Sequence, residues 1–425
     1  MRSKLIPIGL ALLAACGSSD GGSAADGPRS TTPLVPIARD TAGGVILEHE
    51  AGALERAPRI ALDSTAIGEV MADSAQDDLS RVFLGVALSD GGFAFFDPVR
   101  SAVWVVDSTG AVRRVLGRRG KGPGEFGWIS GGVARGEGDT LAVTDAQNAR
   151  VTLLHPAGGI VREAPFIPQV RGDGFSLNGR LPDGSWVASP ASWILVGTGA
   201  PSIGERRGVP IQVVDPFADP ARRDSVGYLT SVPAVKSRYR MMGREEDGVS
   251  FAQFADPGRA FAWGGAPAFY DNRSWQVVRL DAGGGGRQTV IRVVAGERTP
   301  TPAMVESLVV RRRSDAMRPL PSGQTRMETA DEAEFTTRNR PLAEVISPFS
   351  MAHVGPQGTL WLVDQPVPGE PTVAVTAMDT AGRLLGRTAV PAAWRILAVG
   401  EDRILLRILD EDGVAALRIH RLRRD

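Results

Sequence analysis

Short apolar runs alternate with turns rich in Gly and Asp along most of this chain. The unit is clearest from Leu141 to Gly158, LAVTDAQNARVTLLHPAG. An apolar run ends in Asp145, a polar turn follows, and a second run from Val151 to Leu154 leads to a Gly-containing turn. The same pattern recurs at Phe93 to Gly110, Ala268 to Gly283, Leu360 to Gly382 and Leu405 to His420. The first run of each copy closes on an Asp: Asp97, Asp145, Asp271, Asp364 and Asp410. A carboxylate there can accept hydrogen bonds from the N–H groups of the turn behind it. One apolar run with a Gly turn precedes each copy, and a further run follows, as at Val112 to Leu116 and Leu384 to Val390.

Each repeat therefore predicts four short strands. Asp97 to Asp145 spans 48 residues and Asp364 to Asp410 spans 46, the period of a propeller blade. Six such units fit between about residue 82 and the end of the sequence. The third is the most degenerate; it is placed from Asn178 through Trp186 and Val209–Asp215 to Tyr228. The last is one strand short, and the run Arg59 to Gly68 is expected to supply the missing strand and close the ring, which removes open sheet edges. The expected fold is all-β: a six-bladed β-propeller of four-stranded antiparallel blades over residues 45–425.

One stretch, 299–344, breaks the β rhythm between the fourth and fifth blades. Thr301 followed by Pro302 predicts a helix start, with Met304, Val305, Leu308 and Val309 on one apolar face. Thr329-Ala-Asp-Glu332 reads as a capping box for a second helix. The insertion is expected to pack over one end of the propeller, with Arg311, Arg312 and Arg313 as a basic cluster on a solvated face.

Composition narrows the partners. Lys plus Arg and Asp plus Glu both number 48, so no net field draws nucleic acid or an anionic membrane surface. Nucleic acid is therefore not expected as a partner, and the chain is expected to be a monomer. Residues 1–15 have the form of an export signal: Arg2 and Lys4, then a short apolar stretch from Leu5 to Ala15. The end of that stretch, Leu13-Ala14-Ala15-Cys16, resembles the bacterial lipoprotein signal. The resemblance implies cleavage before Cys16, lipidation of its sulfur, and attachment to the membrane through the lipid alone. Cys16 is the single cysteine of the chain. Residues 16–44 begin with a Gly/Ser-rich run expected to act as a flexible tether. Gly17 after the cysteine favours an extracytoplasmic, outer-membrane location.

Gly117-Arg-Arg-Gly-Lys-Gly-Pro-Gly-Glu-Phe126, followed by Val143-Thr-Asp145-Ala-Gln-Asn148-Ala-Arg150-Val151, is similar to the NHL-type six-bladed β-propellers and the bacterial propeller lipoproteins that carry the same phrase. The similarity is strong over 82–160, fair over 260–295 and 345–425, and poor in the third blade. A phosphate loop is not expected at Lys121, because no Ser or Thr follows it and no helix pattern opens there. A blade-to-blade linker is expected instead, with Phe126 plugging the core.

The resemblance also implies what an enzyme of this kind would use. Amidating lyases of the type hold a metal with several histidines, and lactonase-type propellers hold calcium with Glu, Asn and Asp in the channel. This chain has four histidines: His49, His155, His353 and His420. Only His353 falls on an inner strand by register, and no zinc-ligand pair is present. No Gly-x-Ser-x-Gly elbow occurs. The expected function is a non-enzymatic binding scaffold of the cell envelope without a catalytic residue or resident cofactor. Its partner is an envelope protein or a small anionic ligand, and Arg135, Arg180, Trp263 and His353 are the candidate channel residues. The alternative is a hydrolase or lyase with calcium in the central channel.

Overall fold

The computed structural model describes residues 31–70, 79–127, 129–165, 175–190, 204, 208–218, 221–230, 234–270, 273–281, 286–317, 328–410 and 414–424. Cys16 and the residues read as an export signal and as the start of a tether lie outside them, as does Asp271.

Six antiparallel blades are arranged as a propeller. Blade 1 runs inner to outer through Gly85–Ala87, Phe93–Asp97, Ala102–Val106 and Val112–Leu116. Blade 2 comprises Ile129–Arg135, Leu141–Asp145, Arg150–His155 and Gly159–Pro165. Blade 3, the faintest in sequence, is Phe175–Arg180, Trp186–Pro190, Gly208–Asp215 and Arg222–Thr230. Blade 4 is Arg259–Trp263, Ala266–Tyr270, Gln276–Leu280 and Gln288–Val293. Blade 5 is Phe349–Val354, Leu360–Asp364, Thr372–Met378 and Leu384–Pro391. Blade 6 takes Arg395–Val399, Arg403–Leu409 and Ala415–Arg424 from the end of the chain, and its outer strand, Ile60–Val70, from the beginning.

The second strand of a blade is buried on both faces, which explains its unbroken apolar run. Phe93–Asp97 and Leu141–Asp145 have no exposed residue. The terminal Asp does what its position suggests. Asp97 Oδ1 accepts from Val99 N and Arg100 N, and Asp145 Oδ1 accepts from Gln147 N and Asn148 N. Asp364 departs from the rule. Its turn is longer, and its carboxylate pairs with Arg387 instead. Large side chains fill the spaces between blades: Trp104, Trp186, Trp263 and Trp361 are all nearly inaccessible to solvent.

Two features depart from the sequence reading. Part of the stretch 16–44, read as a tether, is ordered into the fold. Leu34 bridges to Leu384, and Ile37–Thr41 pairs with Gly44–His49, which lies parallel to the outer strand of blade 4. Blade 4 thus carries six strands. A hairpin, Ala234–Met241 with Arg244–Phe251, stands between blades 3 and 4. Its partner is the helical insertion, Pro302–Met317 and Ala330–Arg338. The expected capping box is present: Thr329 Oγ1 accepts from Glu332 N, and Glu332 Oε2 accepts from Thr329 N. Glu332 Oε1 also accepts from Gly243 N at the hairpin tip. Met304, Val305 and Leu308 pack against Phe254, Ile346 and Val367. The basic cluster is largely neutralised, with Arg312 on Glu328 and Arg313 on Asp331 and Glu334.

Hairpin and insertion both connect the outer strand of one blade to the inner strand of the next. They therefore lie at the end of the ring where the inner strands start. Backbone bonds join them there: Gln253 N donates to Pro341 O, and Ala343 N to Gln253 O.

Candidate functional site in the central channel

The inner strands of all six blades enclose a cavity of about 670 Å³. That is the size range of small-molecule sites. Arg135, Arg180, Trp263 and His353, the residues chosen by inner-strand register, all line it. His155 and His420 do not.

Three of the four are already engaged in building the wall. Arg135, on blade 2, reaches across the ring to blade 5, where Nη2 donates to Gly355 O at 3.1 Å. Its other contact is a 3.8 Å approach to Asp139. Arg135 is the last residue of its inner strand, so this bond bars the channel at the end where inner strands finish. Arg180, also last in its strand, pairs with Glu137 at 2.8 Å and donates from Nε to Gly184 O. Trp263 Nε1 donates to Gly358 O at 2.9 Å, and Arg279 lies over its indole ring.

The opposite end has a different character. Arg259 and Arg395 are the first residues of the inner strands of blades 4 and 6, and both line the cavity. Among the described residues Arg395 makes no hydrogen bond or ion pair; Arg259 has Nε buried without a partner, with Asp256 and Tyr270 beside its guanidinium. Burial lowers the pKa of Arg395, and the charge of Arg259 lowers it further. His353, on blade 5, is the fifth residue of its inner strand, Phe349–Val354, and so lies further along the channel toward the Arg135 end. It is 7% exposed, and its Nε2 has no partner. Burial, with the charge of Arg259 added, pushes its pKa down to about 3, so the ring is neutral at physiological pH.

A small polar group stands behind Arg259. Asp256 is fixed by Ser347 Oγ, which accepts from Asp256 N, and by Gly258 N, which donates to Asp256 Oδ1. Burial opposes the charge of Arg259, but Tyr270 and Asp256 outweigh it and hold the guanidinium protonated. Tyr270 Oη is buried beside them without a partner at hydrogen-bond geometry, and burial raises its pKa well above the ordinary value.

The register argument reached the arginines at strand ends and missed those at strand starts. Arg259 follows Asp256-Pro-Gly258 and reads as part of a turn; Arg395 follows a Trp and reads likewise. The available signal was alignment of the six inner strands, which puts both positions at one level of the channel.

The donor set does not suit calcium, which takes six or more oxygen ligands. Among the described lining residues the one carboxylate is Glu137, already paired with Arg180. No group of three or more His, Cys, Asp or Glu with metal-site geometry occurs among the described residues.

No family model and no curated protein matches the chain. Among solved structures, the chain is similar to a provisionally named exported protein from Bacteroides fragilis, at TM-score 0.47 and 11% identity, covering 89% of this chain and 99% of that one. It is also similar to a DUF4221 family member from Bacteroides vulgatus, at TM-score 0.44 and 8% identity, covering 86% and 98%. A gluconolactonase from Xanthomonas campestris gives TM-score 0.37 and 13% identity, covering 93% and 99%. At these values the likeness carries nothing about activity, and the fold rests on the strand ladders of the chain itself.

Proposed function

We propose that this protein is a non-enzymatic lipoprotein of the bacterial cell envelope whose propeller channel holds a small anionic ligand. The observation that carries the reading is the lining of the channel. Four arginines, Arg135, Arg180, Arg259 and Arg395, face one carboxylate, Glu137, among the described lining residues. A concave cavity with a few convergent polar groups is the usual form of a ligand site, and an excess of guanidinium groups selects for anions. The anchor rests on Leu13-Ala14-Ala15-Cys16 and the Gly/Ser-rich stretch behind it. Lipid attachment at Cys16 holds the propeller at a membrane surface without a spanning segment.

Two measurements test this. The full chain is purified from membranes without chelator, its metal content is measured by plasma mass spectrometry, and lactones and esters are offered as substrates. The expected result is no turnover and no stoichiometric divalent ion; near one calcium per chain together with turnover overturns the binding reading. Cys16→Ala should move the protein from the detergent phase to the aqueous phase. Retention of that variant in the membrane overturns the anchor.

A further inference from the structure

Arg259, His353 and Arg395 come from three consecutive blades and occupy one arc of the channel. The facing arc, from blades 1 to 3, carries an apolar band, Phe83, Leu84 and Val86 from blade 1, Val133 from blade 2 and Leu177 from blade 3, with Arg135, Arg180 and Glu137 at the end where the inner strands finish. The cavity thus sets Arg259 and Arg395 on one arc against an apolar band on the other.

We infer that Arg259 and Arg395 form a two-armed clamp for the carboxylate of an organic acid, whose apolar body lies against Phe83, Leu84, Val86, Val133 and Leu177. This inference rests on the channel-binding reading and adds the ligand's chemical class and orientation. Guanidinium groups recognise planar carboxylates through paired N–H donors. Here Arg259 keeps a buried Nε without a partner, and Arg395, which is exposed to solvent, makes no hydrogen bond or ion pair with a described residue, so both have N–H donors free for an anion. His353 Nε2 adds a neutral group on the same arc. Asp256 lies beside Arg259 and offsets part of its charge, which limits the site to a small formal charge and favours a monocarboxylate over a polyanion.

The test uses the full chain in detergent with three probes: 4-phenylbutyrate, its neutral amide 4-phenylbutyramide, and inorganic phosphate. Calorimetry gives affinity and thermal melting gives stabilisation. The butyrate should bind, and the amide and phosphate should bind about tenfold more weakly or not at all. Arg395→Gln should weaken butyrate binding by about tenfold or more. The same variant should melt no lower than wild type without ligand, since Arg395 has no protein partner and is repelled by Arg259. Arg259→Gln should also lose binding, but Arg395→Gln is decisive, being the variant least able to disturb folding. Asn178→Trp, which fills the channel, serves as the control for location.

Equal binding of the acid and its amide, or of the acid by wild type and Arg395→Gln, overturns the clamp. Phosphate binding as tightly as the organic acid overturns the apolar half of the site. No binding of any probe also overturns the clamp as stated. If Asn178→Trp abolishes acid binding while Arg395→Gln does not, the clamp fails but the channel-binding reading stands. If neither variant affects it, the ligand lies outside the channel and both readings fail.

Discussion

Ile60 pairs with Arg424 across the seam of the ring, so the outer strand of blade 6 comes from the opposite end of the chain. The strand is held by its side chains as well as its ladder. Ile60 is 2% exposed and packs in a cluster with Val373, Val390 and Leu422. The ring thus has no unpaired edge at its seam. Ile60→Ala should cost about 2–4 kcal/mol, read as a lower urea midpoint at unchanged slope. Ile37→Ala, at an exposed position of the added hairpin on blade 4, should stay within about 0.5 kcal/mol of wild type.

The Gly-rich phrase between blades 1 and 2 is a structural linker, and its residues should divide accordingly. Phe126 is fully buried and meets the Phe96 ring edge-on. Gly117 has φ 87°, and a Cβ there would fall 2.3 Å from the Phe126 ring. Lys121 is exposed; its backbone N–H, with that of Gly122, donates to Glu125 Oε2. Phe126→Ala should cost about 3–5 kcal/mol and Gly117→Ala should also destabilise. Lys121→Ala should change stability by less than about 0.5 kcal/mol and leave anion binding unaltered. A phosphate loop at this place would give the reverse pattern.

Asp145 joins its own turn to the linker from the previous blade. Beyond the turn N–H groups it accepts from Asn148 Nδ2 and from Gly127 N. Asp145→Ala should cost about 3 kcal/mol, because four partly buried hydrogen bonds lose a charged acceptor together. Asp145→Asn, which keeps one acceptor oxygen, should recover part of that loss. Differential scanning calorimetry of the three proteins checks the order, and equal melting temperatures would show that the turn donors find other partners.

The legible parts of this fold were those where one residue type answers one local requirement. Asp at the strand end, Gly at positive φ in the linker, and Thr329 with Glu332 around a helix start each serve a need set within a few residues. The closing strand was legible for a different reason: a ring one strand short must take one from elsewhere. The hairpin at 234–251 was not legible. Its strands hold together through exposed cross-strand pairs, Lys236 with Asp247 and Arg238 with Glu245, rather than through an alternating apolar face. Its buried contacts come from the helical insertion far along the chain. In the channel, register identified which strands face inward. It could not show which arginines are already satisfied, because the acceptors Gly355 and Glu137 belong to other segments.

His353 gives a pH dependence whose sign follows from its burial. The ordinary value of 6.5 falls to about 3 in the folded protein, so the native ring stays neutral where the unfolded ring takes up a proton. Stability from this group is complete above the unfolded value and is lost as the pH falls from there toward the folded one. Its share of that loss between pH ~7.5 and ~5 is about 2 kcal/mol. His49, which is buried and bonds to Gly382 O, is shifted in the same direction and adds to the slope. Burial raises the carboxyl pKa of Asp256 and Asp364, which act in the opposite sense and are common to wild type and variant. His353→Leu should therefore flatten the curve of unfolding free energy against pH by about 2 kcal/mol, leaving the part due to His49. Urea unfolding of wild type and variant across the window measures the difference. Parallel curves would mean that His353 titrates near its ordinary value, with the ring open to solvent.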